Sequence, residues 1–145
     1  MKTMIFMGAM LIASLAQARA PQPDTREQDS AVFQNLIDRH FEVWNDSDSL
    51  HRVPKYAGLY TEDVLVADYA GALSGHAGVE QKLSEVQGKF PGYRFSPDPA
   101  SWNHGLGRVT WGYGPADHPD LIRGEDIFTV TDGKIAGLRV FIDKK

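Results

Sequence analysis

The sequence predicts an α+β domain in which helices from its first half cover one face of a strongly curved antiparallel sheet. Three observations carry this. Apolar residues recur three or four apart in two stretches between Phe33 and Phe90. From Tyr93 onward short β-like runs take over, and turn residues separate them. Periods of 3.6 and 2.0 mark helix and strand, and helices followed by a meander of strands define the α+β class. With 145 residues, 42% hydrophobic and 23% charged, the chain is long enough for one domain with a substantial core.

The first stretch, "MKTMIFMGAMLIASLAQARA", has one lysine near its start, an apolar run and small residues at alternating positions, the layout of a secretory signal peptide. Cleavage after "AQA" would remove residues 1–18, and cleavage after "ARA" would leave Pro21 first. A retained membrane anchor is the alternative, against which the apolar run Met4–Ala16 is short. Removal of 1–18 takes away Lys2 and moves the net charge from −4 to −5. The expectation is a periplasmic or secreted protein with no stable membrane insertion after cleavage. A chain without cysteine is stabilised there by its core and not by disulfides. Acidic balance argues against nucleic acid as a partner, because phosphate contacts need a basic face. Residues 19–29 read as a tether and 30–145 as the domain.

The first helix is predicted from about Arg26 to Asn45. Thr25 and Gln28 have capping-box spacing, and Phe33, Leu36, Ile37, His40, Phe41 and Trp44 share one face. "NDSDS" at Asn45–Ser49 breaks it. A shorter helical piece follows from Leu50 to Tyr60, interrupted by Pro54. Val64 to Tyr69 is the first strand, and "LSGHAG" turns the chain. A third helix, Ala77 to Phe90, aligns Val79, Leu83, Val86 and Phe90 and stops at Pro91-Gly92. Strands are expected at 93–96, 100–103, 108–113, 121–131 and 134–142. Asp132-Gly133 is a two-residue hairpin signal. A strongly bent sheet covered by helices on one face would leave a cavity between them.

Two aspartates stand out. Val64, Val66 and Asp68 face one way, as do Ile122, Gly124, Asp126, Phe128 and Val130. If those faces point to the core, burial disfavours the charged carboxylates and raises their pKa values. Two such groups in one apolar pocket would make an acid/base site. The alternatives are that Asp68 caps the following turn, and that Asp126 faces outward with Glu125 inward. His40, the odd member of the helix stripe, is either a hydrogen-bonded core residue or a third member of the site. The remaining histidines show no ligand spacing, so no metal site is expected. No nucleophile elbow, phosphate loop or dinucleotide fingerprint occurs. Trp44, Trp102, Trp111, Tyr113 and Phe128 read as core, some of them able to line a pocket.

The pieces "LYTEDVLVAD", "SGHAGVEQKLSEVQGKFPGYRF", "RVTWGYG" and "RGEDIFTVTDGKIAGLRVFID" resemble the SnoaL-like branch of the nuclear transport factor 2 (NTF2)-like superfamily, which includes ketosteroid isomerases and polyketide cyclases. The resemblance runs from about Ser30 to Ile142. It implies a cone of three helices on a curved antiparallel sheet enclosing an apolar pocket. In the isomerases an aspartate ending the first strand shuttles the proton, which the resemblance carries to Asp68. A second aspartate, in "DIF", helps bind the oxyanion, which points to Asp126; in the cyclases the acid/base resembles Asp126 instead. Where the isomerases place a tyrosine on the first helix, "LIDRHFEVWN" has His40, which puts a steroid substrate in doubt.

The expected activity is a cofactor-independent isomerase or cyclase. Asp68 takes a proton beside a carbonyl in a small apolar molecule, and His40 and protonated Asp126 hold the enolate oxygen. Acid-assisted addition of water is a further enzymatic role for the same groups. The alternatives are a periplasmic or secreted binder of the same ligand without turnover, and a homodimer paired through the sheet acting as an interaction module.

Overall fold

The last strand sits in the middle of the sheet, and this placement organises the molecule. The computed structural model describes residues 25–143, with side chains from residue 29 onward. The signal peptide expected over 1–18 lies outside these residues, as do the first part of the 19–29 tether and the Thr25–Gln28 capping side chains.

Helix α1 (Thr25–Trp44) begins within the stretch read as tether. It buries the expected stripe of Phe33, Leu36, Ile37, His40, Phe41 and Trp44, together with Val43. Asn45 then fixes the chain to the sheet: its amide donates to the Phe95 carbonyl at 3.0 Å and its oxygen accepts from the Phe95 N–H at 2.7 Å. Asp48 caps the short helix α2 (Ser49–Arg52) by accepting from the Leu50 N–H at 2.9 Å. A 3₁₀ turn (Val53–Gly58) follows, with Pro54 in its first turn, where no N–H is needed.

Strand β1 spans Tyr60–Asp68 and begins four residues before the expected Val64. A short strand β2 (Gly71–Ser74) pairs back on it through a tight turn, where the sequence reading placed only a turn. Four residues led by Gly-Ala carry too little β-propensity to announce themselves. Helix α3 runs Gly75–Lys89. The remaining strands are β3 (Arg94–Pro97), β4 (Ser101–Asn103), β5 (Leu106–Gly114), β6 (Ile122–Thr131) and β7 (Lys134–Ile142). The β6–β7 turn is as expected, with Asp132 and Gly133 both at positive φ (51° and 74°).

The strand order is β2-β1-β7-β6-β5-β3, with β4 also paired to β5. Every pair is antiparallel except β1 with β7, which is parallel. The sheet is therefore mixed where the sequence suggested a purely antiparallel one. Alternation in a strand reports which face is buried, not which neighbour the strand joins. Register shifts in the β1–β7 and β6–β7 pairings interrupt the ladders at the β7 side, and such irregularities bend a sheet.

The three helices cover one face, and the core between them is continuous from Phe33 and Ile37 of α1 through Val79 and Leu83 of α3 to Val109, Phe128 and Leu138 of the sheet. Gly107 lets α1 approach: the Phe33 ring lies where a Cβ would stand. On the far side of α3, Arg52 is buried and ties α2 to α3. Its guanidinium bonds both carboxylate oxygens of Glu80, and Tyr56 donates to Glu80 at 2.6 Å. Chiefly through the Arg52 hydrogen bonds, the Glu80 carboxyl is held down to about 2. No helix among the described residues is long and apolar enough to cross a membrane.

Candidate active site

A cavity of about 250 Å³ opens between the helices and the concave face of the sheet. Phe41 and Trp44 of α1, Lys82, Val86 and the following Phe90 on the α3 side, and Val66, Phe95, Trp111, Tyr113, Ile122 and Val140 of the sheet make its wall. Asp68 and Asp126 both reach it. His40 does not.

Register explains why the two aspartates meet. Asp126 of β6 pairs with Val140 of β7. Ala67 of β1 faces Arg139 of β7, so Asp68 comes level with Val140 from the other side. The three side chains form one row across three strands, which sets the aspartate backbones roughly 10 Å apart.

Asp126 is 3% exposed and points inward with Gly124 and Phe128, while Glu125 lies on the other face. Its Oδ1 has no hydrogen-bond partner among the described residues. Burial pushes its carboxyl up to about 7, and the charge of Glu125 adds to the rise. The Trp111 N–H is close enough to oppose that rise but is not aligned to bond, and it too has no partner. The Tyr113 hydroxyl is a third unpartnered buried group in the same wall; burial, with Tyr93 adding, raises its phenol pKa. Buried polar groups almost always find partners, and an orphan costs about 1–3 kcal/mol. All three residues belong to the cavity wall, with their unpartnered atoms set back in it. Gly124 makes room for the Trp111 ring, which a Cβ there would strike.

Asp68 departs from the expectation of an unpaired carboxyl in apolar surroundings. Its side chain is 26% exposed and forms an ion pair with Lys82, Nζ to Oδ1 at 2.8 Å. The same Oδ1 accepts from the Ala70 N–H at 2.9 Å. The turn-capping reading and the pocket reading of Asp68 therefore both hold: the strand ends at the rim, where one oxygen shapes the turn.

His40 is 1% exposed, enclosed by Phe41, Trp44, Tyr60 and Phe128. Its Nδ1 lies 2.8 Å from the Tyr60 hydroxyl, to which the Trp44 N–H donates at 3.1 Å. Which of His40 Nδ1 and the Tyr60 hydroxyl donates in this bond is set by the imidazole tautomer. Burial lowers its pKa to about 3. His40 is thus a hydrogen-bonded core residue behind the cavity wall.

Sequence reasoning passed over Lys82 and gave Trp111 and Tyr113 no specific role. A signal existed for each. Lys82 lies three residues after Val79 and four before Val86, inside the buried stripe of α3. Trp111 and Tyr113 alternate with Val109, which pairs with Asp126. Among the described residues no group of three or more His, Cys, Asp or Glu is placed to hold a metal ion.

Three helices packed on an open, mixed seven-stranded sheet, with an apolar hollow between them, define a cone-shaped α+β domain. A family model for the SnoaL-like domain matches residues 37–138, and the chain belongs to that family. Among solved structures it is similar to a proposed isomerase of the SnoaL-like family from Agrobacterium tumefaciens, with a TM-score of 0.72 at 22% identity over 79% of this chain and 99% of that one. It is also similar to a proposed polyketide cyclase from Sinorhizobium meliloti, with 0.62 at 15% over 77% and 97%. A proposed ketosteroid isomerase from Kribbella flavida gives 0.62 at 18% over 81% and 82%. At such identities these likenesses establish the fold. No protein of curated function matches the chain.

Proposed function

We propose that this protein binds a small apolar carbonyl compound in the cavity and moves a proton on it without a cofactor. The carrying observation is the buried, unpartnered Asp126 carboxyl facing the same hollow as Asp68. Asp68 takes a proton from the carbon beside the carbonyl. The electron pair moves toward oxygen, and neutral Asp126, with the Trp111 N–H beside it, holds the oxygen by a hydrogen bond. Return of the proton to another carbon gives isomerisation, and attack of the carbanion on a second carbonyl gives ring closure. His40, outside the wall, takes no part in the step. The isomerase and cyclase descriptions of the similar structures support this class.

Proton exchange tests it. Deuterium incorporation into 2-decalone in D₂O, followed by NMR, should run faster with the protein than with buffer. Asp68→Asn should lower the rate about 100-fold or more, the usual contribution of a general base, with ligand affinity kept. A binder without turnover is the second reading, favoured by the Lys82 ammonium that engages Asp68; it stands if 2-decalone binds and no exchange is accelerated. The signal-like residues 1–18 add export to the proposal, which cell fractionation tests.

A further inference from the structure

Among the described residues Lys82 is the one cationic side chain in the cavity wall, and it is 5% exposed. An ammonium has three N–H donors. Among the described residues only one is used in a hydrogen bond, to Asp68 Oδ1 at 2.8 Å. Glu85 Oε2 lies farther off at 4.0 Å. Two donors are left at a place where water is largely excluded. In the same row as Asp68, on the far side of β7, lies Asp126 with its unpartnered oxygen, and the Trp111 N–H is beside it. The cavity therefore has a polar group at two separate points, Lys82 at one and Asp126 at the other, with the apolar Val140 between the two aspartates.

We propose that Lys82 forms a second hydrogen-bonding subsite of the cavity. Its ligand is a neutral two-headed apolar compound, with one oxygen acceptor against Asp126 and the other against Lys82. The inference rests on the functional reading above, which supplies the first head. It adds the second. Neutrality follows from charge. Asp68 and Glu85 already stand beside the ammonium, so a ligand carboxylate would meet two like charges, whereas a carbonyl oxygen meets only the free N–H groups. The arrangement makes Lys82 a specificity-determining group: it selects a second oxygen at a fixed place.

Affinity measured by titration calorimetry tests this independently of turnover. Three probes share one bicyclic skeleton: 2-decalone, decalin-2,6-dione and 6-oxodecalin-2-carboxylate. The wild-type protein should bind the dione about tenfold more tightly than the monoketone, the worth of one added hydrogen bond. The keto acid should gain nothing over the monoketone. In Lys82→Met the preference for the dione should vanish. The double variant Asp68→Asn/Lys82→Met, which removes both charges together and so keeps the fold free of an unpaired ion, should lose it equally. Asp68→Asn alone should keep it. A dione no tighter than the monoketone, a preference that survives both lysine variants, or a keto acid as tight as the dione would overturn the proposal. If the monoketone binds and Asp126→Ala abolishes that binding while the dione gains nothing, the second subsite falls alone. If neither ketone binds the wild-type protein, the functional reading falls with it.

Discussion

His40 and Asp126 are buried to nearly the same degree, within one core and on either side of the same aromatic packing, yet their surroundings differ in kind. His40 meets a hydroxyl at 2.8 Å, and that hydroxyl meets an indole N–H. Asp126 has an oxygen with no partner among the described residues, and so have the Trp111 indole beside it and the Tyr113 phenol farther along the same sheet face. A satisfied buried polar group is structure. A cluster of unsatisfied ones beside a cavity is a site, because its stability cost persists only when a ligand makes use of it. Burial alone does not separate the two cases, and neither does a shifted pKa, since both residues have one.

The comparison can be broken most strongly at His40. His40→Ala should destabilise by about 3–4 kcal/mol, combining a core cavity with a stranded Tyr60 hydroxyl, read from chemical denaturation. Asp126→Leu should do the opposite above neutrality.

The pH dependence carries the same contrast. Asp126 has a carboxyl raised from 3.8 to about 7, so the native state holds a proton that the unfolded chain releases. Its contribution is complete below about pH 4 and is lost as pH rises to about 7. His40 is lowered from 6.5 to about 3, so the unfolded chain takes up a proton that the native state refuses. Its contribution is complete above about pH 6.5 and is lost as pH falls toward 3. Each amounts to a few kcal/mol at most, at about 1.4 kcal/mol per pKa unit. In the wild-type protein the two slopes oppose each other between pH 4 and 6.5. Asp126→Asn should unmask a stability that climbs with pH through that window, and melting temperatures across pH 4–8 would show it. Equal profiles for wild type and variant would mean that Asp126 titrates normally.

Ligand binding sharpens the contrast further. Because Asp126 donates only while protonated, the 2-decalone affinity of the wild-type protein should fall as pH rises through about 7. In Asp126→Asn, whose amide donates at every pH, this decline should be absent. The smallest effect compares two phenols. Tyr60→Phe removes a hydroxyl with two partners and should cost about 1–2 kcal/mol, whereas Tyr113→Phe removes an orphan and should change stability by less than about 0.5 kcal/mol or raise it. A large loss in Tyr113→Phe would show that its hydroxyl is satisfied in solution.

Much of the architecture could be read from residue order. The stripe from Phe33 to Trp44 announced α1, and Asp132-Gly133 announced the final hairpin. The inward set Gly124, Asp126 and Phe128 announced the buried acid. The start of β1 was hidden because Thr61, Glu62 and Asp63 look like a turn, and they lie in the irregular stretch between the Tyr60–Ile135 and Leu65–Gly137 pairings with β7. Lys82 was hidden for a related reason. A lysine in an apolar stripe is ordinarily read as reaching out to solvent, and its partner Asp68 is fourteen residues away on another element.

The sequence by itself determined most of the elements, their buried faces and the aspartates that those faces contain, because side-chain periodicity is a local property of the backbone; β2 and the start of β1 were the exceptions. The tertiary structure alone decided which faces meet. By setting β7 parallel against β1, it brought Asp68 level with Asp126 across one strand, while Tyr60 and Trp44 closed around His40 and withdrew it from the cavity. Partnership between distant groups depends on strand order and register, which are set by the packing of the whole chain.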